Sequence, residues 1–204
     1  MDQSGSMWKD HKGCTNPNSG EPCPWEQEKE FVQGLAAYIN MSREGSHVAV
    51  TVFSNDAELK IKFTDYTTLQ SFQAEVGKIR HPEQIEPYKA YGTNINSALK
   101  VAYDDMFNED NGMRQNSIKT LILVTDGTAS DNFRVTAYSW GQKFDERGIR
   151  VVALGVGRVD SALRHLVQAD PDFRCVDNFK QLLDDDFMKN LVFCTPGKMQ
   201  LELI

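Results

Sequence analysis

The sequence predicts an α/β fold built on a mostly parallel central sheet with one antiparallel edge strand. Three observations carry this reading. Residues 120–125 (TLILVT) form a β-branched apolar run that stops at Asp126-Gly127, the pattern of a buried parallel strand with an acidic carboxyl end. Residues 47–53 and 150–156 are apolar runs of the same kind. Helical patterns separate these runs, and strands alternating with helices imply parallel βαβ units.

The elements follow in order. Residues 25–43 read as a helix with Phe31, Leu35 and Ile39 on one stripe, stopped by Gly45. In the 47–53 strand, Val48, Val50 and Val52 face one way and Ala49, Thr51 and Phe53 the other. Leu59, Ile61 and Phe63 alternate with Lys60 and Lys62, as in a half-exposed antiparallel edge strand. A helix is predicted over 67–79, then a loop over 81–91 with two prolines. Residues 94–107 are helical, with Ile95, Leu99, Ala102 and Met106 inward, and 108–116 are a polar loop. The 130–147 helix stops at Gly148, with Tyr138 and Trp140 expected in packing roles. A short helix over 161–168 and a short strand over 173–176 precede a last helix over 179–193. Asp184-Asp185-Asp186 falls in the middle of that helix as a solvated face, without the glycine and terminal Glu of a calcium loop. His47 and His165 have no second ligand at metal spacing and read as structural or exposed.

At 204 residues the chain fits one domain, 1–204, with a sizeable core. A net charge of -7 argues against a general nucleic-acid binder, and no apolar run reaches the length of a membrane span. With only Met1 ahead of Asp2, the chain reads as a processed or excised piece rather than a full secreted precursor. Cys14, Cys23, Cys175 and Cys194 allow three connectivities. Their positions suggest two local pairs, Cys14–Cys23 and Cys175–Cys194, and an oxidising compartment. Asn40-Met41-Ser42 is a glycosylation sequon near a predicted helix end.

The chemistry concentrates in Asp2-Gln3-Ser4-Gly5-Ser6, which sets one carboxylate and two hydroxyls at alternate positions in a glycine-containing turn. Mg²⁺ takes such oxygen ligands. Tyr91-Gly92-Thr93-Asn94-Ile95 is a turn opening a helix and offers the Thr93 hydroxyl, while Asp126 stands at a strand end. Ligands of open α/β sheets bind beyond the carboxyl ends of the strands, so three loops on one edge make a sensible site.

With these residues in place, the chain resembles the von Willebrand factor A, or integrin I-like, domain family. Its D-x-S-x-S motif stands as Asp2, Ser4 and Ser6, its threonine as Thr93 and its second aspartate as Asp126, which fills all five positions of the metal-ion-dependent adhesion site. The resemblance extends through VAVTVFS, GTNINSAL and VVALGVG. It implies a three-layer, doubly wound, Rossmann-like fold with helices on both faces, and adhesion rather than catalysis. It also implies a bound Mg²⁺, with Mn²⁺ or Ca²⁺ as alternatives, that captures a Glu or Asp carboxylate of a protein ligand. Collagen or another matrix protein is the first partner by analogy, in an extracellular setting. The insert over 8–24, with Trp8, Lys9, His11 and Lys12, forms one side of a ligand-binding rim, and Tyr88 and Tyr91 form the other. In integrin-type relatives the last helix moves as affinity changes, so a Cys175–Cys194 bridge would tether it.

The family's first strand should end at the motif aspartate, yet only Met1 precedes Asp2. Residues 199–204 (MQLELI) alternate like a strand, and read in a circle they run straight into Met1-Asp2. Residues 200–204 are therefore expected to supply the central strand, as in a circularly permuted domain or one cut from an array. The protein is expected to be a monomer, a strand swap between copies being the other outcome. Two other classes stand beside adhesion. One is a metal-dependent hydrolase or phosphatase, for which the phosphate-cradling G-x-x-x-x-G-K-[ST] segment is missing. The other is an intracellular scaffold, against which the cysteines argue.

Overall fold

A computed structural model describes residues 1–8, 20–86, 91–193 and 199–203. Six strands form one sheet: β1 (Val50–Phe53), β2 (Ala57–Ile61), β3 (Ile118–Thr125), β4 (Ile149–Val156), β5 (Phe173–Val176) and β6 (Met199–Leu203). Their order is β2-β1-β6-β3-β4-β5. Only the β1–β2 pair is antiparallel, which puts the alternating lysine strand at an edge as its pattern requires.

Each long strand buries both faces. Val50, Val52, Ile122, Val124, Val152 and Leu154 point into one core, under α1 (Pro24–Ala37) and α2 (Leu69–Lys78). Ala49, Phe53, Leu121, Leu123, Val151 and Ala153 point into the other. That second core lies under α3 (Ile95–Val101) and α4 (Phe133–Glu146). This is the three-layer, doubly wound arrangement, and it explains why the strands are apolar at consecutive positions. Two short helices close the described part, α5 (Phe179–Leu182) and α6 (Asp185–Phe193).

β6 occupies the central slot. Thr120 faces Leu201 and Ile122 faces Leu203 across a parallel ladder with β3, and Val50 faces Leu203 on the β1 side. The amino end of the chain continues the same slot. Asp2 faces Phe53 in a parallel bridge, Phe53 N–H donates to Met1 O at 3.0 Å and Gln3 N–H donates to Phe53 O at 2.7 Å. From Val50 to Phe53 is three steps, and from Leu203 through the chain ends to Asp2 is also three, so the register carries across the break. The Met1 ammonium lies buried in the ladder, donating to Thr51 O at 2.9 Å.

Several elements are shorter than expected. α1 ends at Ala37 rather than near Arg43, because Ile39 drops into the core and the chain turns there; Gly45 lies beyond, in the following turn. The helix expected over 94–107 is α-helical only to Val101 and then widens into a π-turn, Ala102–Met106, with Phe107 N–H reaching Ala102 O. The last helix is broken at Leu183-Asp184. The three aspartates there start α6 instead of sitting mid-helix, and Asp184 Oδ1 accepts the Phe187 N–H at 2.9 Å. Tyr138 is not a packing residue: it is 65% exposed, whereas Trp140, two residues on, packs against Tyr103 and Phe144.

Candidate metal centre

Three loops meet beyond the carboxyl ends of the parallel strands. Asp2 is set by its ladder position beside β1, after which the chain turns through a short 3₁₀ segment, Gly5–Met7. Asp126 follows the last residue of β3. Thr93 precedes α3, whose first turn is capped by Asn94 Oδ1 accepting from Ser97 N–H at 3.0 Å. Backbone bonds tie these loops together: Gly5 N–H to Tyr91 O, Asn94 N–H to Ser54 O, and Ser130 N–H to Thr93 O, at 3.1, 2.7 and 2.9 Å.

The expected ligand side chains come together. Ser6 Oγ donates to Asp126 Oδ1 at 2.7 Å, and the Ser4 and Ser6 hydroxyls are 3.0 Å apart. Asp2 Oδ1 accepts the Ser4 N–H at 2.8 Å. Thr93 stands beside Gly127, the residue after Asp126, where an added Cβ would be 3.1 Å from its Oγ1. Asp2, Ser4 and Thr93 are buried while Ser6 is exposed, so the cluster opens to solvent on the Ser6 side.

Thr125, Glu28 and His81 complete the support, and the sequence reading had not singled them out for the site. Thr125 Oγ1 donates to Asp2 Oδ2 at 2.6 Å, so the strand residue beside Asp126 fixes the other aspartate. Glu28 Oε1 accepts the Asp2 N–H at 3.0 Å. Its signal was available: an acid on the stripe of α1 that also carries Phe31, Val32 and Leu35. His81 Nε2 lies 3.2 Å from Ser4 O. Trp8 stacks on its ring at 5.4 Å between centroids, and Trp25 and Tyr91 stand edge-on to it. Of the expected rim, Trp8 and Tyr91 thus flank the motif loop, both half-buried. Lys9, His11, Lys12 and Tyr88 lie outside the described residues.

Burial dominates the electrostatics. It raises the Asp2 carboxyl above its ordinary value, against the opposing bonds from Thr125 and Ser4. It raises Asp126 to about 6, with Asp2 adding to the rise. Glu28 is pushed well above the usual range for the same reason. The Met1 ammonium is lowered to about 6 by burial, with Glu28 and Asp2 pulling the other way. Two carboxylates desolvated together favour either protons or a cation between them. The donors are two carboxylates and three hydroxyls, all hard oxygens, which suit Mg²⁺, Mn²⁺ or Ca²⁺ rather than a soft ion. Beside Asp126 a cleft of about 360 Å³ opens, lined by Pro24, Gln27, Gly157, Arg158 and Asn178.

The cysteine pairing needs one correction. Cys175 is a free, exposed thiol, so the expected Cys175–Cys194 bridge and its tether on the last helix fall. Cys175 lies on the edge strand β5 with its side chain turned to solvent. Cys23 is disulfide-bonded and stands at the amino end of α1. Cys14 and Cys194 lie outside the described residues.

A doubly wound sheet with an oxygen cluster at the carboxyl ends of its strands defines an α/β domain with a candidate cation site. The chain belongs to the von Willebrand factor type A domain family, whose model matches residues 1–189. Among curated relatives it is 26% identical over 144 residues to the collagen alpha-1(XII) chain of Notophthalmus viridescens, covering 71% of this chain and 14% of that protein. It is also 26% identical over 152 residues to human matrilin-4, covering 72% and 23%. The chain therefore spans less than a quarter of the length of these two relatives. Among solved structures, proximal thread matrix protein 1 from the mussel byssus superposes with a TM-score of 0.76 at 20% identity, over 94% of this chain and 45% of the other, in a form described as having a zinc-occupied MIDAS motif. Manganese-loaded Plasmodium vivax TRAP protein superposes with a TM-score of 0.62 at 18% identity, over 90% and 68%. Among the described residues no helix is long and apolar enough to cross a membrane.

Proposed function

We propose that residues 1–204 form one divalent-cation-dependent adhesion domain that captures a carboxylate of a protein ligand in an extracellular matrix, and that it is a binding module and not an enzyme. The observation that carries this is the convergence of Ser6 and Asp126 at 2.7 Å, on loops 120 residues apart, with Asp2 locked behind them by Thr125. Asp2, Ser4, Ser6, Thr93 and Asp126 would hold the ion, Mg²⁺ first, with Mn²⁺ or Ca²⁺ accepted. The bound cation supplies the positive charge that lets two oxygen-rich surfaces meet. The chain's own part is to hold five oxygens in place beforehand. Thr125, the Ser4 N–H and Glu28 fix Asp2, and the exposed Ser6 side leaves room for the partner. Trp8 and Tyr91, with the cleft beside Asp126, shape what surrounds the carboxylate. Relatives that are themselves collagen chains and a neighbour described as a thread matrix protein support a matrix partner, and neighbours described as zinc-occupied and manganese-loaded support a divalent cation.

The split central slot supports a second proposal about connectivity. The register that runs from Leu203 through the chain ends into Asp2 is what a circularly permuted domain, or one taken from an array, would leave behind.

A binding screen against collagens and other matrix proteins, with and without Mg²⁺, tests the function. Binding is expected in Mg²⁺, lost in EDTA and lost in Asp126→Ala, with the variant's fold checked by circular dichroism. Binding that survives both treatments would place recognition on a metal-independent surface.

A further inference from the structure

We propose that Asn40 is an N-glycosylation site, and that its glycan projects from the pole of the domain opposite the metal centre. Asn40-Met41-Ser42 is the only N-x-[ST] sequence in the chain, and the middle residue is not proline. Sequons fall by chance in many chains, so the local structure decides. α1 ends at Ala37, Ile39 is buried, and Asn40 emerges exposed just beyond. Its carboxamide makes no hydrogen bond to any described residue, so a sugar on Nδ2 breaks nothing.

The backbone around it is firmly held. Ser46 N–H donates to Asn40 O at 2.8 Å and Gly45 N–H to Ser42 O at 3.1 Å. The Arg114 guanidinium donates to Gly45 O. Gly45 packs so closely that an added Cβ would stand 2.3 Å from Asn40 O. A fixed turn with a free, outward amide is a surface that accepts a bulky group without refolding.

Its location follows from α1. Pro24 and Gln27, in the first turn, line the cleft beside Asp126. The helix then carries the chain away over 14 residues, about 20 Å at 1.5 Å per residue. Arg114, which reaches the same turn, precedes the amino end of β3, so the turn lies at the opposite end of the sheet from Asp126. A glycan there leaves the ligand face open.

The transfer is balanced by a lipid-pyrophosphate-linked oligosaccharide as donor. A bond forms from Asn40 Nδ2 to the anomeric carbon, the anomeric C–O bond to the pyrophosphate breaks, and Nδ2 loses one proton. The proposal rests on the extracellular part of the function proposed above, and its test is independent of adhesion. The full chain is secreted from a eukaryotic host behind a cleavable leader, and its intact mass is read before and after peptide-N-glycosidase. A glycan-sized mass decrease on enzyme treatment is expected, with the deamidated site mapped to residue 40. The decrease is expected to persist in Ser42→Thr and to vanish in Asn40→Gln and Ser42→Ala. Mg²⁺-dependent ligand binding of Asn40→Gln is expected to match that of the unaltered chain. Secreted, folded protein with unmodified Asn40 would overturn the site, even if adhesion holds. Ligand binding restored or abolished by Asn40→Gln would overturn its placement.

Discussion

Thr125 carries more of the candidate metal centre than its neighbours suggest. It is fully buried, and its hydroxyl donates to Asp2 Oδ2 at 2.6 Å. Thr125→Val keeps the shape and removes one donor from a fully buried carboxylate. The supporting partners of metal ligands are typically worth 10- to 100-fold in metal affinity. Isothermal titration should therefore find Mg²⁺ affinity lowered about 10- to 100-fold, with Thr125→Ser close to the unaltered domain. Asp2, Ser4 and Ser6 stand out in the sequence because a carboxylate and two hydroxyls at alternate positions are a local pattern, and Thr93 and Asp126 because one sits where a helix opens and the other where a strand ends. Thr125, Glu28 and His81 do not, because each acts across the fold: 123, 26 and 77 residues separate them from the groups they hold. The thiol of Cys175 was misread for the same reason, since nearness along the chain says nothing about which side of a strand a side chain leaves.

Among the elements, strands were read more closely than helix ends. β5 was placed at its observed limits, and β3 and β4 to within two residues, because buried strands announce themselves by consecutive apolar residues. Helix termini depend on what the next segment packs against. α1 stops where Ile39 enters the core, and the last helix breaks at an aspartate that caps its second half. α4 offers a test in which two effects compete. Gly141 sits in the middle of this helix, where alanine is favoured by about 1 kcal/mol on propensity alone. A Cβ there would stand 2.8 Å from Leu166 O and 3.0 Å from His165 O, both backbone atoms that cannot swing aside. Overpacking typically costs about 1–3 kcal/mol and should win. Gly141→Ala is expected to lower the urea midpoint, and a raised midpoint would show that the short 3₁₀ segment Ser161–His165 yields to α4.

For the molecule as a whole, the central slot of the sheet is shared by the two ends of the chain. Residues 199–204 were expected there from alternation and from the gap ahead of Asp2, and β6 does lie between β1 and β3. Deleting residues 199–204 removes the shared partner of β1 and β3 and leaves two rows of buried backbone groups unpaired, so loss of cooperative unfolding is expected by calorimetry. The converse change joins the ends. A chain that begins at Lys198 and passes from Ile204 directly into Met1 replaces a buried amine with a peptide bond. The amine's value of about 6, against 8.0 when free, sets the cost of holding it neutral at pH 7 at about 1 kcal/mol. The joined chain should melt a few degrees higher, with its Mg²⁺ response intact. A lower melting temperature would show that the break relieves strain in the ladder.

Because Met1 O accepts from Phe53 N–H and Gln3 N–H donates to Phe53 O, the backbone of Asp2 is pinned to the end of β1 before any ion arrives. Substitutions that loosen β1 should therefore blur the ion site while the outer strands of the sheet stay paired.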